Sequence, residues 1–486
     1  MSLFRKLKDW LNSGKFGYLA KNSLLLTIGS FGSKLLGFLL IPLYTNVLST
    51  AEYGTADLVT TTSYFLLYLV TLNIGDAVFV FTMQDAGQDG CKYLKYGMTL
   101  IARNCLLSSG VLLLLRVFRV IPWPDYCYLF LFLHLTLISA GEVIRGYLQA
   151  TDKVKIIAVS GVITTFVTVA GNLLLLLVFH LGIIGYFVSM LAGLAVSLIY
   201  CLANCEGIRE GFQRQLCDVE TRKAMLRFSI PLVFNGVAWW VNSSLDRYLV
   251  TAISGVEMNG IYSVAAKIPS ILGMLNSIFA QAWTISAVKE YDRNDEDGFF
   301  NRTYSSYMAA MAVCCSGLIL FNIPLAKVLF AKDFFVAWQC SSWLLISAFF
   351  SAMGSFLASI FSAVKDSRIV AVSTVISALI NTGLNLLLIP RYQAVGASAA
   401  TVVSFFSIWM IRYFCSKKYI QWRNSLLRDI LVCCLLVTQV LLEGILENHG
   451  YIGQGCCFVC ILFLCGKELM KGFKETNVSS KQLKNI

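Results

Sequence analysis

Long apolar runs separated by short polar segments dominate this sequence. Each run approaches or exceeds the roughly 20 residues that a membrane-spanning helix needs. The runs lie at about 23–47, 57–82, 97–118, 126–149, 156–179, 182–204, 228–251, 259–284, 304–330, 337–363, 369–389, 394–414, 429–447 and 452–469. The connections are short, so no sizeable domain or soluble catalytic module is expected outside the membrane. The pattern predicts an all-α polytopic membrane protein with about 14 transmembrane helices.

The composition supports this prediction. Of the 486 residues, 57% are hydrophobic and 14% are charged, against roughly 45–50% and about 25% in a typical soluble protein. These values exclude an ordinary soluble enzyme and a disordered chain, because disorder requires low hydrophobicity and high net charge. The 16 cysteines are scattered through apolar runs, where cysteine behaves as a small buried hydrophobe. No disulfide, metal site or cofactor is expected.

The distribution of positive charge predicts the topology. An even number of spans places both termini on one side of the membrane. Of the 39 Lys and Arg residues, 29 lie in the loops on the side of the N-terminus and five lie in the opposite loops. The positive-inside rule therefore predicts that both termini are cytoplasmic. The net charge of +12 is explained by topology, and nucleic acid is not expected as a partner.

The sequence contains an internal repeat. A shift of 213 residues aligns 156–177 with 369–390 without a gap and gives ten identities in 22 positions. A second match pairs 48–54 with 253–260, with one inserted residue. Spans 1 to 6 therefore repeat as spans 7 to 12. Because six is even, the two copies have the same orientation and form a parallel repeat, which suits alternating access.

The repeat predicts the domain organisation. Two six-helix lobes enclose a central cavity, and two further helices follow them. The predicted segments are an N-lobe at 1–204, a cytoplasmic linker at 205–227, a C-lobe at 228–414, additional spans within 429–469 and a cytoplasmic tail at 470–486.

Five short motifs occur in a characteristic order. They are KNS at 21–23, AEYGTADL at 51–58, LDRYL at 245–249, GIYSVAAK at 260–267 and NLLLIP at 385–390. In this order they resemble the multidrug/oligosaccharidyl-lipid/polysaccharide exporter superfamily, and within it the O-antigen and capsule oligosaccharide flippases. The resemblance covers nearly the whole chain. It implies a transporter of the bacterial inner membrane that moves a polyprenyl-diphosphate-linked oligosaccharide to the outer leaflet, with membrane lipid and a polysaccharide polymerase as further partners.

Other functions remain open. The drug-exporting branch of the superfamily usually has twelve spans, so the two additional spans favour the branches that carry lipid-linked sugars. A lipid-linked peptidoglycan precursor flippase is the first alternative, and a cation-coupled drug exporter is the second. A polytopic glycosyltransferase or polymerase is the alternative from another class, but the outer loops are short. No Walker A motif occurs, which argues against ATP hydrolysis by this chain.

Ionisable residues within the apolar runs are the candidates for a site, because each costs about 2.5–3.5 kcal/mol at the bilayer centre on insertion scales. Ammonium and guanidinium groups can replace the hydration that a diphosphate loses in the membrane. Lys34, Arg247 and Lys267 are therefore predicted to bind the diphosphate. The residues predicted to line the cavity or couple transport to a proton or sodium ion are Asp57, Asp76, Asp246, Asn242, Arg103 and Arg145.

The two lysines also have a simpler interpretation. Lys34 and Lys267 can pair with carboxylates such as Asp57 or Asp246 and join helices, since paired charges within membranes are often structural. Neither interpretation is excluded by the sequence.

The remaining charges have simpler interpretations as well. Arg145 lies three residues after Glu142, a spacing that favours a local ion pair. Arg103 lies one turn into span 3, where its guanidinium can extend to the interface. Asp76 suits either ion coupling or a contact at a helix end. No catalytic residue is predicted.

Overall fold

The computed structural model describes residues 37–85, 90–205, 217–364, 366–423, 426–446 and 450–482. This part of the chain is helical and contains no strand, which confirms the predicted all-α polytopic fold. The α-helices are α1 (Ile41–Val47), α2 (Thr50–Thr71), α3 (Ile74–Gln84), α4 (Gly90–Val117), α5 (Asp125–Ala150), α6 (Val154–Asn172), α7 (Gly182–Ala203), α8 (Val219–Ser254), α9 (Val256–Ala265), α10 (Ser270–Lys289), α11 (Phe299–Leu320), α12 (Asn322–Leu329), α13 (Trp338–Ala363), α14 (Ser367–Ser416), α15 (Leu426–Leu446) and α16 (Tyr451–Gln482). A π-helical segment, Leu173–Val178, extends α6, and a 3-10 helix, Lys332–Ala337, precedes α13.

The number of spans can be counted on the described residues. Nine helices there are long and apolar enough to cross a membrane, and the bent pair of α2 and α3 brings the number to ten. The sequence predicts four spans more. One arises because the sequence divides the 50-residue α14 into two spans, and the other three are the first span and the two that follow the repeat. The first predicted span is described only from Gly37. Helices α15 and α16 coincide with predicted spans 13 and 14.

Helix α14 contains a sharp turn that the sequence predicts. Gln393 has φ 49° and ψ −131°, so the helix is two helices joined at this residue. Pro390 precedes the turn and lacks the N–H that a continuous helix would require. The two halves correspond to predicted spans 11 and 12. Gly396 packs closely after the turn, since a Cβ there would lie 2.6 Å from the carbonyl oxygen of Leu388.

The starts of α2 and α9 explain the second match of the repeat. Ser49 caps α2: its Oγ accepts a hydrogen bond from Glu52 N at 3.2 Å, and its own N–H donates to Glu52 Oε2 at 2.9 Å. This reciprocal pair is a capping box. Helix α9 instead begins after Gly255, whose φ is 93°. Glycine adopts this conformation without a Cβ clash, and it occupies the region of the inserted residue.

Helix α8 starts earlier than predicted span 7. It begins at Val219, so the later part of the predicted linker is helical. Asp218 caps this end, because its Oδ2 accepts a hydrogen bond from Thr221 N at 3.1 Å. Hydrogen bonds from Thr221 lower the pKa of the Asp218 carboxyl below its usual value. The helix therefore starts at a polar cap, not where the apolar run begins.

The structure divides into two compact units. The first ends at Ser244 and the second begins at Leu245, within α8. The lobe boundaries, linker, additional spans and tail that the sequence indicates stay predictions.

Helix α5 is the centre of the first unit. It packs against α2, α3, α4 and α7, and its apolar side chains form one core with residues such as Ile74, Val78 and Leu94. The contact with α3 is close. A Cβ on Gly146 would lie 2.4 Å from the carbonyl oxygen of Gly75, so only glycine permits this distance between the backbones.

Helix α13 is the centre of the second unit and packs against α10, α11 and α14. Arg412 joins α13 to both halves of α14 and is 6% exposed. Its Nη1 donates to the carbonyl oxygen of Gly354 at 2.9 Å, its Nε to Ser373 Oγ at 3.0 Å and its Nη2 to Thr374 Oγ1 at 3.0 Å. Neutral acceptors therefore satisfy a buried guanidinium.

The substitution Gly146→Ala tests the close contact of α3 with α5. We expect a lower midpoint of thermal unfolding for the purified protein, because overpacking of this kind costs about 1–3 kcal/mol. Gly110→Ala on α4 is the matched control, since a Cβ there meets nothing within 4 Å. Equal midpoints for the two variants would contradict the contact.

Candidate functional site

The second span of each repeat is broken. Helices α2 and α3 meet at an angle of 48°, and Leu72 and Asn73 between them have φ of 49° and 52°. Helices α9 and α10 are separated by 266–269, which ends in Pro269. Non-helical backbone at membrane depth is tolerated where it is buried in protein or lines an aqueous cavity. The two breaks are therefore natural positions for polar chemistry.

The first break lines a cavity. Thr71, Asn73, Gly75 and Asp76 border a cavity of about 190 Å³, together with Glu142 from α5. Asp76 lies in the first turn of α3 and is exposed. A carboxylate at a helix N-terminus is stabilised by the helix dipole. Asp76 thus lies at a helix end, which is one of the two interpretations of this residue, and it also borders the cavity.

An ion pair borders a neighbouring cavity. Arg145 Nη2 donates to Glu142 Oε1 at 2.5 Å, and the two side chains are 44% and 48% exposed. Both residues line a cavity of about 150 Å³. Tyr64 of α2, Ser160 of α6 and further residues of α6 and α7 complete its wall. The local pair that the spacing favours is confirmed. Because it is exposed to a cavity, the pair contributes little to stability, and the guanidinium is accessible to an anion.

Lys267 lies at the second break. It follows α9 and is half-buried, and its N–H donates to the carbonyl oxygen of Val264 at 3.0 Å. Within the described residues its ammonium pairs with no carboxylate, so the pairing of Lys267 with Asp246 is not found. Lys267 therefore lies in the four-residue segment that separates α9 from α10.

Asp246 is the centre of a buried polar cluster in the second unit. It is 5% exposed. Its Oδ1 accepts a hydrogen bond from Asn385 Nδ2 at 2.6 Å, and its Oδ2 accepts from Thr401 Oγ1 at 2.8 Å and from Tyr262 OH at 3.1 Å. Asn385 Nδ2 also donates to Asn381 Oδ1 at 2.9 Å. The cluster joins α8, α9 and both halves of α14.

The charge of Asp246 is balanced by neutral donors. Within the part of the chain that the structure describes, no lysine or arginine pairs with its carboxylate. Hydrogen bonds to a charged group contribute about 1.5–3 kcal/mol each, and burial of an ion costs several kcal/mol. Three such bonds therefore roughly offset burial. Asn385 Oδ1 is also buried and has no donor among the residues that the structure describes, so the cluster has oxygen lone pairs for a proton or a hard cation.

The other predicted residues lie on several different helices or outside the described residues. Lys34 lies outside the described residues. Arg247 is half-buried and follows Asp246 in α8. Arg103 is exposed on α4, where its Nε donates to Asn104 Oδ1 at 3.3 Å, in agreement with an interfacial side chain. Asp57 is half-buried in α2.

Asn242 precedes the buried cluster in the same helix. It is half-buried, and its Oδ1 has no partner among the described residues. Of the eight predicted residues that the structure describes, Asp76 and Arg145 lie on cavities of the first unit, and Asp246 lies in the core of the second. A shared site for these residues stays a prediction.

Four partners of Asp246 are absent from the predicted site: Tyr262, Asn381, Asn385 and Thr401. Two signals in the sequence point to them. Tyr262 and Asn385 belong to the motifs GIYSVAAK and NLLLIP, and Asn385 is also matched by the repeat. All four are neutral polar residues within apolar runs, a class that a search for charges overlooks.

Known proteins show related sequences. The polysaccharide biosynthesis protein family matches residues 19–284. A membrane protein of Methanocaldococcus jannaschii, itself uncharacterized, is 21% identical over 416 residues, which cover 82% of this chain and 97% of that protein.

Solved structures show the same fold. The lipid II flippase MurJ in an inward closed conformation is similar with a TM-score of 0.69 and 14% identity, over 93% of this chain and 99% of that chain. A multidrug resistance MATE family transporter of the MOP superfamily, in an inward-facing conformation, is similar with a TM-score of 0.65 and 11% identity, over 80% of this chain and 94% of that chain. At these identities the similarity establishes a shared polytopic fold.

Thr401→Val tests the hydrogen bonds of Asp246. The substitution keeps the side-chain shape and removes one donor, so the buried carboxylate loses compensation worth about 1–3 kcal/mol. We expect a lower midpoint of thermal unfolding. Thr382→Val is the matched control on α14, because the Thr382 hydroxyl donates to Ala378 of its own helix. If both variants unfold alike, Thr401 does not stabilise the cluster.

Proposed function

Because the chain belongs to the polysaccharide biosynthesis protein family of the multidrug/oligosaccharidyl-lipid/polysaccharide exporter superfamily, we propose that it is a flippase for a polyprenyl-diphosphate-linked oligosaccharide. It moves this lipid from the cytoplasmic to the outer leaflet of a bacterial inner membrane by alternating access. The glycan then enters a cell-surface polysaccharide such as O-antigen or capsule.

The observation that carries this proposal is that a cation lies beside the interrupted second span in each repeat. Arg145 lines a cavity that α2 also borders, and Lys267 lies between α9 and α10. Each group by itself suits a diphosphate, since a guanidinium offers a planar pair of donors and an ammonium offers a compact charge. Lys34 and Arg247 are proposed to contribute in the same way.

The acidic residues near Arg145 suit a transporter better than a permanent binding site. Glu142 holds Arg145 at 2.5 Å, and Asp76 borders the adjoining cavity with Glu142. A diphosphate must displace Glu142 from the guanidinium in order to bind, and Glu142 can then return and release it. Moderate affinity with ready exchange is what repeated turnover requires.

The number of helices favours a lipid-linked substrate over a drug. Helices α15 and α16 follow the repeat and pack against α11 and each other, which extends the second unit beyond its single copy of the repeat. A peptidoglycan precursor flippase shares this feature and is the second candidate. The two differ in the glycan that accumulates when the protein is removed.

Asp246 is proposed to couple transport to a proton or sodium ion. Its carboxylate has only neutral donors among the described residues, and the oxygens of Asn381, Asn385 and Thr401 lie around it. Binding of a cation there would release these donors and alter the contacts between α8 and the two halves of α14. The ion would thereby favour one conformation over another.

The proposed substrate is tested in cells depleted of the protein. We expect lipid-linked oligosaccharide to accumulate on the cytoplasmic leaflet and to be exported again when the wild type is supplied. Lys267→Ala and Arg145→Ala, expressed at normal levels, should restore less than about a tenth of export, because each loses charged hydrogen bonds worth at least about 1.4 kcal/mol. Lys327→Ala, an exposed lysine of α12, should restore export fully.

Three outcomes would refute parts of this proposal. Accumulation of peptidoglycan precursor would indicate the second candidate function. Accumulation of a drug with normal lipid-linked glycans would indicate an exporter. Normal export by Lys267→Ala and Arg145→Ala would show that these cations do not bind the diphosphate.

Asp246→Asn tests ion coupling. The amide keeps the size of the side chain and removes the charge that attracts a cation. Binding of an ion to the folded protein raises its stability, so we expect sodium or acidification to raise the unfolding midpoint of the wild type and not of the variant. Asp152→Asn, at an exposed carboxyl of the first unit, is the control. A cation response that persists in Asp246→Asn would place the coupling site elsewhere.

A further inference from the structure

A second buried carboxylate lies in α15, outside the repeat. Glu443 is 1% exposed. Its Oε1 accepts a hydrogen bond from Asn322 Nδ2 at 3.0 Å, and its Oε2 accepts one from Ser342 Oγ. The three residues join α12, α13 and α15. Within the described residues, no lysine or arginine pairs with Glu443, and nothing in the proposed transport cycle uses it.

The orientation of Asn322 is determined by its neighbours. Its Nδ2 lies 2.9 Å from the carbonyl oxygen of Trp338 and 2.7 Å from Ser342 Oγ, in addition to Glu443 Oε1. Three acceptors around this atom require it to be the nitrogen. The other end of the amide, Oδ1, is buried and has no donor in the part of the chain that is described. The cluster therefore lacks a hydrogen-bond donor.

A cavity adjoins this cluster. Its volume is about 240 Å³, several times the roughly 30 Å³ that one water occupies in the liquid. Glu443, Trp338 and Trp343 are among the residues that line it. The remaining lining residues are Gln339, Val395, Val440 and Gly444. One acidic group among apolar and aromatic surfaces is a typical arrangement for an organic cation.

We propose that this cavity, defined by Glu443, Trp338 and Trp343, binds an organic ammonium group. The ammonium supplies the positive charge that the buried carboxylate lacks among the described residues. Each carboxylate oxygen has further lone pairs beyond the one that Asn322 or Ser342 occupies. The proposal does not depend on the transported substrate.

The indoles favour an organic ammonium over a bare metal ion. A hard metal cation selects oxygen ligands, whereas an ammonium is attracted to the face of tryptophan as well as to carboxylate. The volume also exceeds what a single ion needs. The ligand therefore carries its charge on a group of several atoms.

Two sources can supply this group: the headgroup of an aminophospholipid and a free amine. The cavity lies where α13 begins and where α15 ends, so it is near one end of the helix bundle. The predicted topology places that end at the outer face, within reach of outer-leaflet headgroups. Tryptophans are common at this depth.

The experiment uses the purified full chain in a neutral detergent. Phosphatidylethanolamine, phosphatidylglycerol with the same acyl chains, and free ethanolamine are added in turn, and the midpoint of thermal unfolding is followed. We expect phosphatidylethanolamine to raise the midpoint more than phosphatidylglycerol does. In Glu443→Gln the concentration for a half-maximal shift should rise at least about tenfold, because the charged hydrogen bonds are lost.

Two further variants complete the design. Glu468→Gln is the control, since Glu468 lies in α16 and is 3.6 Å from Arg428, and it should respond like the wild type. Trp343→Leu keeps the carboxylate and removes one indole, so it should weaken the response about threefold or more. Trp343→Leu also tests the cavity if Glu443→Gln does not fold.

The outcomes separate the sources and can overturn the proposal. A response to free ethanolamine equal to that of the lipid identifies a soluble amine as the ligand, and a response to the lipid alone identifies the headgroup. Equal responses to the two phospholipids, or an unchanged response in both Glu443→Gln and Trp343→Leu, would overturn the proposal.

Discussion

The cost of burying charge away from water constrains every polar contact in this protein. An ion in the interior must find enough hydrogen bonds to replace its hydration, or a partner of opposite charge. Arg412, Asp246 and Glu443 are all buried, and among the described residues each is satisfied by neutral side chains and backbone groups. The exposed ion pair of Arg145 and Glu142 behaves differently, because it borders a cavity. The two buried carboxylates, Asp246 and Glu443, thus differ from Glu142, whose partner Arg145 is exposed and can exchange.

The positions of the helices can be predicted from the sequence because a chain segment that is apolar enough to enter a membrane must also form a helix there. Backbone groups there must be satisfied within the segment, so each apolar run becomes a helix. The breaks are harder to predict. Pro390 indicates the turn in α14, and Pro269 indicates the break before α10. Leu72 and Asn73 carry no such signal, since neither proline nor glycine is present and the bend depends on how α3 packs against α5.

The site was only partly predictable for a related reason. Intramembrane charges stand out in an apolar sequence, so Asp246, Arg145 and Lys267 could be selected from composition and position alone. Their partners could not. Asn385 and Thr401 are separated from Asp246 by 139 and 155 positions, and the spacing of residues along one helix contains no information about such contacts. The same applies to Glu443, whose partner Asn322 lies 121 positions away.

The repeat shows how the two units have diverged chemically. Asn172 and Asn385 occupy matching positions. Asn385 donates to the carboxylate of Asp246 at 2.6 Å, whereas Asn172 donates to the hydroxyl of Tyr44 at 3.0 Å. The first unit therefore has a phenol where the second has an acid. A phenol can hold the helices together but attracts no cation at neutral pH, because its ordinary pKa is about 10. Among the described residues, the proposed ion-responsive carboxylate therefore lies in the second copy of the repeat, where the first copy has a phenol. The cavities of the first unit border Arg145 and Asp76 instead, so the two copies of the repeat present different polar groups despite their common sequence pattern.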